Sequence, residues 1–190
     1  MKKILSLMLA LTLALSLTAC GSKADSADSG DKTDLPADAL TLLTTVWDSI
    51  ADDARFPAGG GDYANPVDGA PGAFDISDTE NLSYMLTFPA EDADKIDGAA
   101  SLMHMMNANS FTCGAFHAVS ADEAETLAQD LRDAIASKQW MCGFPDKLVV
   151  MTLGEYVVSM YGLNENIDTF RDKLTEAYPD AVVAFEEAIA

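Results

Sequence analysis

The stretch Lys147-Leu-Val-Val-Met-Thr-Leu-Gly154-Glu-Tyr-Val-Val-Ser-Met-Tyr161 decides the fold. Residues 147–152 and 155–161 are rich in Val, Met and Tyr, side chains that suit a pleated, half-buried surface. Leu153-Gly154 between them is short enough to close a hairpin, so an antiparallel sheet is expected. On the N-terminal side, Ser120-Ala121-Asp122-Glu123 is a capping box, in which the Ser hydroxyl and Glu carboxylate satisfy each other's backbone donors at a helix start. The helix it opens carries Ala124, Leu127, Ala128, Leu131, Ala134 and Ile135 on one face.

Further back, residues 111–119 and 82–88 read as strands, and residues 90–106 as a helix that Gly98 weakens. A first helix follows Leu35-Pro36, with Pro36 in its first turn and Leu40, Leu43, Trp47 and Ile50 recurring on one face, and ends before Pro57. On the C-terminal side, Ile167, Phe170, Arg171 and Leu174 mark a helix after Gly162, and Pro179 opens a short terminal turn or helix with Val182, Val183, Phe185 and Ile189. This order predicts a two-layer α+β domain over residues 35–190, with a mostly antiparallel sheet of about four strands and helices packed on one face. No repeat occurs at solenoid or propeller spacing.

Residues 57–80 are rich in Gly, Pro, Asp and Asn, including Gly59-Gly60-Gly61 and Pro71-Gly72, and read as a long loop. Asp62, Asn65, Asp68, Asp75, Asp78 and Glu80 bring oxygen ligands, but not the alternate spacing followed by glycine of an EF-hand, so a solvated acidic loop is expected rather than a calcium site.

The chain starts Met1-Lys2-Lys3, then runs uncharged and mostly apolar over residues 4–17 to Leu17-Thr18-Ala19-Cys20. These are the n-region, h-region and cleavage site of an export signal. A helix of 14 such residues would span only ~21 Å, short of a ~30 Å hydrocarbon core. The tetrapeptide resembles the lipobox of bacterial lipoproteins. That resemblance implies removal of residues 1–19 and diacylglyceryl transfer to the Cys20 sulfur; two acyl chains make a stable anchor where one does not. Residues 21–34 hold no apolar side chain larger than alanine, which predicts a flexible tether over residues 20–34 that sets the domain about 20 Å from the membrane. The expected location is the extracytoplasmic face of the cell membrane, with lipidated Cys20 as the membrane contact.

The full chain carries 11 Lys and Arg against 31 Asp and Glu; loss of Lys2 and Lys3 with the signal leaves 9 against 31, a formal charge of −22. Nucleic acid is excluded as a partner, because binding it requires a basic surface. An anionic lipid surface would also repel the domain, so anchor and tether must hold it near the membrane.

Cys113 on a predicted strand and Cys142 before the hairpin form an even pair, each followed by glycine. Outside the cytoplasm such a pair reads first as a disulfide, worth ~3–4 kcal/mol in the chain-entropy model; two buried free thiols or a redox-active pair are the alternatives. Trp140-Met141-Cys142-Gly143-Phe144-Pro145 is similar to a thioredoxin active site, but lacks the second cysteine and follows a helix rather than opening one. His104 within Met103-His104-Met105-Met106, and the Cys113 to His117 spacing, offer soft metal ligands. On a strand, however, Cys113 and His117 stand ~13 Å apart, and methionines at helical spacing are core filler, so no metal or other cofactor is expected. Neither a Gly-x-Ser-x-Gly elbow nor a phosphate-binding glycine loop is present, and no catalytic residue is assigned.

From Ala99 the run Ala-Ala-Ser-Leu-Met-His-Met-Met-Asn-Ala-Asn, then Phe111-Thr-Cys-Gly and residues 140–145, resembles small lipoproteins of low-GC Gram-positive bacteria that carry a domain of unknown function, some labelled bacteriocin transport accessory protein. The resemblance implies an α+β fold and an extracytoplasmic location, and transfers no catalytic or binding residue. The expected function is a non-enzymatic binding or accessory module that meets a protein or peptide partner at the cell surface through its sheet face or residues 57–80. The alternative is a thiol-disulfide redox accessory protein using Cys113 and Cys142.

Overall fold

In the computed structural model the described residues are 35–141 and 143–189. The expected signal segment, Cys20, the expected tether and Cys142 lie outside them. The expected hairpin is present as β6 (Lys147–Leu153) and β7 (Tyr156–Gly162), turning at Gly154, whose φ of +57° is a conformation glycine adopts without penalty. Beyond β7 lies β5 (Phe111–Ala118), and then β4 (Ile96–His104), all antiparallel.

The class is α+β as expected, but the sheet has eight strands rather than about four. β4 accounts for much of the difference. Gly98 and the short side chains of Ala99, Ala100 and Ser101 give this segment little strand propensity of its own, yet both its edges are paired, and pairing overrides propensity. Its inner edge meets β5. Its outer edge is shared by two short strands, β1 (Ala58–Gly61) beside Met103 and His104, and β3 (Gly72–Phe74) beside Ala99, Ala100 and Ser101. A third short strand, β2 (Pro66–Asp68), folds back on β1 and forms one sheet edge. The segment expected to be a loop over residues 57–80 is thus built into the sheet.

Its glycines permit this by close backbone approach. A Cβ on Gly60 would stand 2.3 Å from the Gly72 nitrogen, and one on Gly72 would stand 2.4 Å from the Gly61 nitrogen. The Gly-rich run is a packing device. The opposite edge is β8 (Val182–Ala188), a strand on β6 where a terminal turn or helix was expected. Charges hold it: Arg132 donates to both Glu187 carboxylate oxygens at 2.9 and 2.6 Å, and Lys147 and Arg171 both reach Glu186.

The helices lie on both faces, not one. On one side α1 (Ala39–Asp48) and α4 (Asn164–Ala177) bury Leu42, Val46, Ile167 and Phe170 against Leu102, Phe111, Val149 and Val158. On the other, α2 (Thr79–Leu86) and α3 (Ala121–Ser137) bury Leu82, Leu86, Leu127 and Leu131 against Phe116, Val150 and Val157. Three layers result. The continuous run Leu148-Val-Val-Met, where a one-sided strand would alternate, follows from this, because every residue of it enters one core or the other.

Local signals account for the helix ends. Asp38, rather than the Pro36 turn, caps α1 by accepting the Thr41 amide at 2.6 Å, and Ser120 accepts the Glu123 amide at 3.2 Å at the start of α3. Residues 82–88, expected to be a strand, belong mostly to α2. Asp78 caps this helix through the Asn81 amide at 3.0 Å, and Leu82 and Leu86 then fall one turn apart on its buried face. Among the described residues no helix is long and apolar enough to cross a membrane.

Candidate functional site

The acidic residues of the 57–80 segment build a wall rather than a cation site. Asp62, only 4% exposed, accepts the amides of Ala64 at 2.8 Å, Asn65 at 2.7 Å and Asp75 at 3.0 Å, with the Asn65 side chain at 3.2 Å. Burial opposes its ionisation, but the hydrogen bonds from Asp75, Asn65 and Ala64 outweigh it and hold the carboxyl below its ordinary range. Asp75 accepts from Ser77, and Asp78 caps α2. The carboxylates of Asp62, Asp75 and Asp78 are thus engaged in local turns and a helix cap. Among the described residues no group of three or more His, Cys, Asp or Glu side chains stands together as a metal site.

The β1–β2 hairpin that Asp62 stiffens forms one side of a groove of about 1050 Å³, at the upper end of the usual range for small-molecule sites. Its other sides are α2, the β4–β5 connection and the C-terminal end of α3. The sheet register sets its floor: Gly59, Met103 and Tyr161 line it from one row across β1, β4 and β7, with buried Thr112 of β5 between the last two, on the face that α2 and α3 cover. Over Gly59 lies the Met105 side chain, whose Cγ would stand 3.4 Å from a Cβ at that position.

Large apolar side chains surround the opening. Tyr63 on the hairpin and Tyr84 on α2 are 64% and 74% exposed with ring centroids 6.4 Å apart, and Met106 is 81% exposed. His104 turns its Nδ1 toward the Met106 and Asn107 amides, at 3.2 and 3.3 Å, and stacks on Phe56 at 5.3 Å. The histidine therefore shapes the β4–β5 connection.

The far end of the groove is polar. Lys138, the residue after α3, donates from Nζ to the Thr87 hydroxyl at 2.8 Å and to the Tyr161 hydroxyl at 3.4 Å, and lies over the rings of Trp140 and Tyr161 at 4.9 and 5.2 Å. Thr87 terminates α2 with its own amide on the Ser83 carbonyl and the Phe88 amide reaching back to the Leu82 carbonyl, the Schellman arrangement. This stop requires a left-handed residue, usually glycine. Thr87 takes it at φ +57°, the one non-glycine residue with positive φ among those described.

A second cavity, of about 420 Å³, is lined by Asp92, Asp130 and Asp133. Lys95 ties two of these acids, standing 2.8 Å from Asp92 and 3.2 Å from Asp130, and Arg132 holds Asp133 at 2.7 Å. That cluster joins the turn at residues 90–95 to α3.

Of the residues singled out in the sequence, Cys113 is a free thiol buried within the core under α1 and α4, and burial pushes its pKa well up. It is not the exposed, low-pKa thiolate that exchange chemistry uses. His117 shares its strand but lies at the other end of β5 from the groove, its Nδ1 2.5 Å from Asp97 and its ring 4.6 Å from Tyr156. His104 and His117 are thus not brought together. Both faces of the sheet are covered, so a partner does not meet a bare sheet face. Lys138, Thr87 and Tyr84 carry no motif, and only tertiary structure reveals them as neighbours. Compared with models of protein families, with curated proteins and with solved structures, the chain matches none.

Proposed function

We propose that this chain is a membrane-tethered extracytoplasmic lipoprotein that acts as a binding module, holding a small apolar ligand in the groove between the β1–β2 hairpin and α2. The carrying observation is the groove itself: about 1050 Å³, open, and walled by Tyr63, Tyr84, Met103 and Met105. Leaving large tyrosine rings in water gains nothing for folding, and an apolar surface kept in a concave site is a binding surface. Residues 57–80 supply the wall.

The anchor is supported by the order of charged start, apolar run and Leu17-Thr18-Ala19-Cys20 ahead of a polar tether. A test of the site uses the mature chain carrying Cys20→Ala and the neutral dye Nile red. Dye fluorescence should rise on binding, and Tyr84→Ser together with Met105→Ser should weaken the affinity about tenfold, equivalent to ~1.4 kcal/mol. Unchanged affinity in that variant overturns the assignment of the groove. In cells, the Cys20→Ala chain should leave the membrane fraction; if it stays there through a high-salt wash, the anchor is wrong.

A further inference from the structure

Resting on that reading of the groove, we infer that its ligand is an acyl-chain carboxylate, with the carboxylate received by Lys138. Charge pairing across the molecule carries the inference. Among the described residues Arg55, Lys95, Arg132, Lys147, Arg171 and Lys173 each stand within ion-pair distance of at least one carboxylate. Lys138 does not. In a chain with 31 Asp and Glu against 11 Lys and Arg, a described cation with no described carboxylate in ion-pair distance is an exception. It is also the one that lines the groove.

What surrounds Lys138 suits a ligand better than a structural ion pair. Its partners, the Thr87 and Tyr161 hydroxyls, are neutral, and the Trp140 and Tyr161 rings hold the ammonium without cancelling its charge. An ammonium has three donors, so two hydroxyl partners leave a third for a carboxylate oxygen in the groove. A charge-assisted bond of that kind is about twice as strong as a neutral one. Thr87 adds a second sign. A β-branched residue in the left-handed region costs ~1–3 kcal/mol, and glycine would close the same helix without strain. The chain keeps the threonine, and its hydroxyl fixes the lysine.

The opposite end of the groove sets the ligand's direction. Asp62 and Asp68 lie there on the hairpin, so a single anionic group is drawn to the Lys138 end and repelled from the other. Between the ends lie thioethers and aromatic rings. The backbone of residues 59–61 is already paired with β2, so the amides of a peptide find few partners there and would be left unsatisfied. An alkyl chain asks for none.

Binding of dodecanoate, 1-dodecanol and the blocked peptide acid N-acetyl-Leu-Leu-Phe to the mature Cys20→Ala chain, read by displacement of Nile red and by calorimetry, tests this. Dodecanoate should bind at least tenfold tighter than dodecanol. Lys138→Met should abolish that preference while the far-ultraviolet dichroism and dye binding persist, and Lys138→Arg should retain it. Equal binding of acid and alcohol, or a preference that survives Lys138→Met, overturns the inference, and so does tighter binding of the peptide acid. If Nile red binds and neither dodecyl compound does, the acyl carboxylate falls and the groove stands; if no probe binds, the groove reading falls with it.

Discussion

Replacing Asp62 by alanine removes the group on which the hairpin side of the groove is hung. The carboxylate accepts three backbone amides and one side-chain amide from residues on two turns, with Asp75 thirteen positions away in sequence. Hydrogen bonds to a charged group are worth ~1.5–3 kcal/mol each, but a simple sum overstates the loss, because exposed Ala64 and Asn65 recover water; about 3 kcal/mol is the expected destabilisation. Asp62→Asn separates charge from geometry. Its amide oxygen can serve Ala64 and Asn65, whereas its NH2 opposes the Asp75 N–H, so roughly half that loss is expected. The pH dependence follows from the lowered pKa of Asp62. A group depressed in the folded state adds stability that is present above its unfolded value, near 3.8, and is lost as pH falls through the folded one. Urea unfolding of the wild type should therefore show a loss below pH 4 that is smaller in Asp62→Asn. A loss under ~1 kcal/mol for Asp62→Ala, or parallel acid profiles for the wild type and Asp62→Asn, would refute the role given to this residue.

The Asp92 and Lys95 pair should respond asymmetrically. Lys95→Met leaves Asp92 buried without its counter-charge and should cost about 3 kcal/mol in urea unfolding at pH 7, whereas Asp92→Asn should cost under about 1, since Lys95 keeps Asp130. Burial, outweighing the Lys95 hydrogen bond, raises the Asp92 pKa, so the wild type should regain ground on Asp92→Asn as pH falls from neutral toward 3.8. The Lys95 pKa, pushed up to about 12 chiefly by the Asp92 hydrogen bond, predicts a stabilisation complete below pH 10.5 and lost as pH rises through 12. Thr87→Gly should raise the thermal midpoint, by about 1 kcal/mol of relieved backbone strain, while weakening dodecanoate binding; a lowered midpoint would mean that Thr87 is not strained. Cys113 should resist iodoacetamide in the native state and react on unfolding, as peptide mapping would show; rapid native alkylation would contradict its burial.

The parts of the fold that were legible in the sequence are those with local causes. The β6–β7 hairpin followed from two apolar runs about a glycine turn, α3 from Ser120 and its apolar stripe, and α1 and α4 from theirs. Even the second helical layer had a local sign, because Leu148-Val-Val-Met does not alternate, though the strand count obscured it. The departures at residues 57–74 and 96–104 have a common cause. Residues 96–104 look weak as a strand and residues 57–74 look like loop, because β4, β1 and β3 exist through pairing with each other and through backbone approach that only glycine allows.

The expectation of a signal, a lipidated Cys20 and a tether rests on order and composition alone, since export and acylation would act on the chain itself. The excess of acids is likewise read from composition. The groove could not be read this way. Tyr63, Tyr84, Met103 and Lys138 are spread over 76 positions without a motif, and they meet because the β1–β2 hairpin, α2, β4 and the end of α3 converge on one groove. Among the described residues, the separation of Lys138 from carboxylates is likewise a matter of distance. Composition supplies the excess of acids, and tertiary structure alone decides which cations they reach.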